Sequence, residues 1–79
     1  MPTVLRPGPY RLFFYSGDRG ESPPHVHVER DDSAAKVWLD PVRLESNIGF
    51  RAAELRTIEQ IVTDNEGKLL EAWNDYFEG

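Results

Sequence analysis

The apolar residues of this 79-residue chain change period once, at Gly49-Phe50, and that change limits the possible folds more than any other feature of the sequence. From Tyr10 to about Ile48 they alternate with polar residues or run in short blocks rich in Val, Phe, Tyr and Trp, punctuated by turn residues. That is the pattern of strands with one buried face. After Phe50 the spacing becomes helical. Strands first and helices second make an α+β chain. We expect one domain over residues 1–79, with a small antiparallel meander of three to four strands at about 10–48 and two C-terminal helices, at about 52–64 and 66–77, packed on one face.

The first strand is expected over Tyr10–Tyr15, after Pro7-Gly8-Pro9, and it runs out in the polar stretch from Ser16 to Ser22, a loop by composition. Pro23 and Pro24 hold the chain extended on its way into a second strand, His25–Arg30. Asp31-Asp32-Ser33 reads as a hairpin turn into a third strand, Ala34–Leu39, which Asp40-Pro41 ends before a short fourth strand near Val42–Ser46. In the first helix Leu55, Ile58, Ile61 and Val62 form one stripe, with Glu54, Arg56, Glu59, Gln60 and Thr63 opposite. Arg51 stands where a capping Ser, Thr, Asp or Asn would be preferred. Asn65-Glu66-Gly67 interrupts the pattern, Asn being tolerant of the left-handed conformation that closes helices. Leu69, Leu70, Trp73, Tyr76 and Phe77 then give the second helix a wide apolar side, read as core.

Composition removes several function classes. The chain has no cysteine, so disulfides, thiolate metal sites and a cysteine nucleophile are excluded. No apolar run approaches the roughly 20 residues of a membrane helix, and the start has no signal-peptide pattern. A cytoplasmic protein without membrane contact is expected. The net charge is -5, unevenly spread: residues 1–50 hold six Lys or Arg against seven Asp or Glu, and residues 51–79 three against seven. Nucleic-acid binding rests largely on Lys and Arg meeting phosphates, so this balance argues against direct nucleic-acid binding and favours a basic partner. A domain of this size buries only roughly 60 to 65% of its unfolded surface, which makes help from a partner or a second copy plausible.

Both histidines lie in Pro23-Pro24-His25-Val26-His27. On a strand, Val26 and Val28 point one way and His25, His27 and Glu29 the other. Pattern pairing places Leu12, Phe14, Val37 and Leu39 with the valines, and Phe13, Tyr15, Lys36 and Trp38 with the histidines. The resulting surface of Phe13, Tyr15, His25, His27, Glu29, Lys36 and Trp38 is aromatic for a face meant only for water, and such patches mark interaction sites. A divalent metal on His25 and His27 would need Glu29, Asp31 or Asp40 to complete its ligands, so no cofactor is expected and the metal is the lesser alternative. A structural role in hydrogen bonds to the loop or the next strand is the simpler assignment for the histidines. General acid-base chemistry by His25 or His27 with Glu29 or Asp40, and Lys36 steadying negative charge, is a third assignment. Lys36 beside Trp38 reads as a pocket for an anion or side chain, or as an alkyl stem packed on an indole.

Gly8-Pro9-Tyr10-Arg11, Phe13-Phe14-Tyr15-Ser16, the stretch Glu21 to Val28, Ala35 to Pro41, and Trp73-Asn74-Asp75-Tyr76-Phe77 together resemble the bacterial family called domain of unknown function 4160. The resemblance covers nearly the whole chain from Gly8. It implies a partner, since such genes often lie beside one for another small protein, domain of unknown function 2442, in a layout similar to a toxin-antitoxin module. Two functions are therefore expected to compete. One is a small protein-binding module acting with a neighbouring-gene partner or as a homo-oligomer. The other is a small hydrolase or nuclease, metal-dependent or not, centred on His25 and His27.

Overall fold

The structure is a computed structural model, and it describes residues 3–15, 17 and 23–77. Five strands, β1 (Thr3–Leu5), β2 (Arg11–Phe13), β3 (His25–Arg30), β4 (Ser33–Leu39) and β5 (Val42–Ile48), precede two helices, α1 (Ala52–Asp64) and α2 (Glu66–Phe77). The strands form one antiparallel sheet in chain order, a meander, and the fold is α+β. The expected three to four strands become five because β1 is only three residues long, too short for alternation to show.

Register decides which side chains share a side of the sheet. Leu12 lies opposite Val28 and Val28 opposite Ala35, while Val26 pairs with Val37 and Val37 with Leu44. These inward residues, with Phe14 and Leu39, make a core with Ile58 and Val62 of α1 and Leu69 and Trp73 of α2. Burial of such side chains, worth about 1.5 to 3 kcal/mol each, is what holds the helices on this side. The other expected pairing, Phe13 with His27 and His27 with Lys36, places the remaining residues on the opposite side.

The connections follow from local chemistry. Asp31 and Asp32 form the β3–β4 turn, and Asp31 takes φ 53°, a left-handed value that Asp tolerates better than most residues. Ser33, expected in that turn, is the first residue of β4. Asp40-Pro41, a cis peptide, turns β4 into β5. β5 is longer than expected and carries an irregularity opposite Lys36 and Val37. Gly49, at φ 91°, then swings the chain toward α1, and the Asn47 side chain bonds both the N–H and the carbonyl of Phe50 at 3.1 and 3.0 Å.

Arg51 offers α1 no side-chain cap. The start of that helix is instead tied to the sheet through Glu54, which accepts from the Tyr10 hydroxyl at 3.1 Å and pairs with Arg30. Glu54, expected on the wet side, is thus half-buried. Burial, with the neighbouring Glu54 carboxylate, raises the Tyr10 pKa above its ordinary value. Asn65 closes α1 without the left-handed conformation, at φ -116°: its side chain donates to the Ile61 carbonyl at 2.8 Å, and its own carbonyl accepts from Leu69 in α2. No helix among the described residues is long and apolar enough to cross a membrane.

Candidate functional site on the uncovered sheet face

The side of the sheet away from the helices is built in two depths. Phe13 points away from the main core yet is only 2% exposed, because its own neighbours roof it. The Arg11 guanidinium lies 4.3 Å from the centre of its ring, Tyr15 packs edge-on at 5.1 Å, and His27 stacks at 5.6 Å. Arg11 is held over the ring from both sides, donating to Thr3 of β1 at 2.9 Å and to Glu29 of β3 at 3.0 Å. A cation fixed over an aromatic face is favourable and excludes water from the ring.

The two histidines separate in the same way. His25 is fully buried, edge-on to Trp38 at 5.6 Å and close to Trp73 of α2 at 5.0 Å, with Nδ1 3.3 Å from the Pro23 carbonyl. Trp73 reaches it because β2 ends at Phe13, short of the β3 position that His25 occupies. His27 is half-buried, edge-on to Tyr15 at 4.5 Å and to His25 at 5.2 Å. Among the described residues, no group of three or more His, Asp or Glu is placed to hold a metal ion.

Above these buried rings lies the accessible layer. Tyr15 is 42% exposed, Trp38 and Lys36 are half-buried, and the Lys36 ammonium sits 5.0 Å from the Trp38 ring. Arg43 of β5 pairs with Trp38 across the strands and is exposed. Ile48, 71% exposed, ends the same side of the sheet opposite Ala34. Of the seven residues expected to form a surface, the register places six on one side and ring contacts with Phe13 and His27 bring Tyr15 to them, with Phe13 and His25 beneath the surface rather than in it. Sequence reasoning missed Arg11 and Arg43. The two-residue turn at Asp40-Pro41 sets Arg43 opposite Trp38, and folding the sequence back about that turn, which pairs Leu39 with Val42 and then Trp38 with Arg43, would have found it. The stretch from Ser16 to Ser22 lies outside the described residues apart from Gly17.

Fold and face together define a small α+β domain whose antiparallel sheet is sealed by helices on one side and carries an ordered aromatic and charged layer on the other. The chain belongs to the family described as Domain of unknown function (DUF4160), whose model matches residues 10–74, from the residue before β2 to the last turns of α2. No curated protein and no solved structure matches it.

Proposed function

We propose that this protein is a binding module that works through a protein partner, the product of an adjacent gene in a toxin-antitoxin-like pair, and that the uncovered face of the sheet is where the partner sits. The observation that carries this reading is Trp38, half-buried on the side that the helices leave bare, with the Lys36 ammonium against its ring and the exposed Arg43 opposite it in register. Trp, Tyr and Arg supply most of the energy of protein interfaces. The ring is supported from below by His25, so little rotamer freedom remains to be lost on binding. Tyr15 and His27 continue the layer toward β2.

Co-purification after co-expression with the neighbouring-gene product tests it. A complex that survives purification is expected, with Trp38→Ala weakening it at least tenfold, in line with a central aromatic anchor. Because Trp38 also packs on His25, the fully surface variant Arg43→Glu is measured beside it, and weakening is expected there without loss of folding. A protein indifferent to that neighbour, or a complex unchanged by both variants, would overturn the reading.

A further inference from the structure

A second surface lies at the other edge of the molecule, where β1 borders α2. Val4 and Ala72 floor a groove above the buried ring of Phe14, and Tyr76 walls it. Tyr76, expected to be core, is 41% exposed while its ring stacks on Phe14 at 6.2 Å. Asp75 lines its rim, and an adjoining hollow that shares Val4, Ala72 and Asp75 continues it along the helix past Glu71, with Lys68 the one cation. β1 is an edge strand, so among the described residues no neighbouring strand closes the groove on its outer side.

We propose that this groove docks an extended basic segment of a protein partner, with Arg or Lys at alternate positions. Charge, spacing and an unfavourable carboxylate each point to this occupant. Asp75 stands in the last turn of α2, where the helix dipole is negative and favours cations. Among the described residues neither Asp75 nor Glu71 has a hydrogen-bond or ion-pair partner. An arriving cation relieves that arrangement. Residues 71 and 75 lie one helical turn apart, roughly 5 to 6 Å between side-chain roots. Alternate residues of an extended chain project to the same side about 7 Å apart, so two basic residues separated by one other can meet both carboxylates. Their alkyl stems would lie on Val4, Ala72 and the Tyr76 ring while the charged heads reach the rim, as long cationic side chains do on apolar surface. The net charge of -5, concentrated after residue 50, steers such a segment to this end of the chain.

The site is separate from the Trp38 face, and the test keeps the two apart. The probe is an unstructured peptide with arginine at every second position, titrated into the full chain while backbone amide resonances are followed. Its counterpart with glutamate at those positions is the control. The amides of Val4, Ala72, Asp75 and Tyr76 are expected to shift with the arginine peptide alone. Binding should weaken as salt is raised, and Glu71→Gln with Asp75→Asn should weaken it roughly fivefold or more. Both substituted positions are exposed, so folding is retained. Shifts centred on Trp38 and Tyr15 instead, equal binding of the glutamate peptide, an unaffected double variant, or groove shifts driven by protein concentration alone would each overturn the proposal.

Discussion

At the scale of the residue, the two histidines have different occupations although they are two positions apart. His25 is enclosed by Trp38, Trp73 and His27, so its removal opens a cavity between the sheet and α2. We expect His25→Ala to cost about 2 kcal/mol or more in a denaturant titration, as large-to-small changes in packed sites do. His27→Ala, at the half-buried level, should cost about 1 kcal/mol or less. Equal losses would contradict the division into a buried and a surface histidine. Tyr10 carries a pH signature of its own. Its pKa is raised in the folded chain, first by burial and then by Glu54, so the folded state holds the phenol proton more tightly than the unfolded chain, where the ordinary value is 10.0. That contribution is full below pH 10 and is lost as pH rises through the folded value. Wild type should therefore lose stability relative to Tyr10→Phe above pH 10, and parallel curves would refute the assignment.

At the scale of the element, the corner between β5 and α1 depends on one backbone position. Gly49 sits at φ 91°, and a Cβ built there would lie 2.5 Å from the Ser33 Oγ. Gly49→Ala should cost about 1 to 3 kcal/mol, mostly backbone strain, so adding Ser33→Ala should restore only part of it. The opposite holds for Asp75 at the end of α2, where Asp75→Asn should raise stability by about 0.3 to 1 kcal/mol because it removes a carboxylate from the negative end of the helix.

The elements also show what could be read before the fold was known. Both helices were legible to the residue because Leu55, Ile58 and Val62, over two turns, and then Leu69 and Trp73, over one, keep helical spacing. β3 was legible because Pro23-Pro24 and Asp31-Asp32 bracket it. β1 was not, since three residues cannot display a period. The sides of the sheet followed from alternation, but depth did not: alternation puts Phe13 and His25 on the outer side and says nothing of the Arg11 guanidinium or the α2 indole that cover them. The tie from Arg30 and Tyr10 to Glu54 was hidden for a similar reason, because it joins residues far apart in sequence through one carboxylate.

At the scale of the whole molecule, the chain uses its two helices to seal one side of the sheet and leaves the other to its own side chains. A core made this way is small, and the outer layer contributes to stability through stacked rings and the Thr3–Arg11–Glu29 bracket rather than through a second set of helices. Tyr15, His27, Trp38 and Lys36 are thus held in place by contacts that the fold itself supplies, and the proposed binding would lose little freedom there. Hydrogen exchange of the backbone amides, compared between the free chain and its complex with the neighbouring-gene product, bears on this most directly. The account predicts slowed exchange in β3, β4 and β5 around His27, Trp38 and Arg43, with α1 unchanged. Protection confined to the helices, or no complex at all, would contradict it.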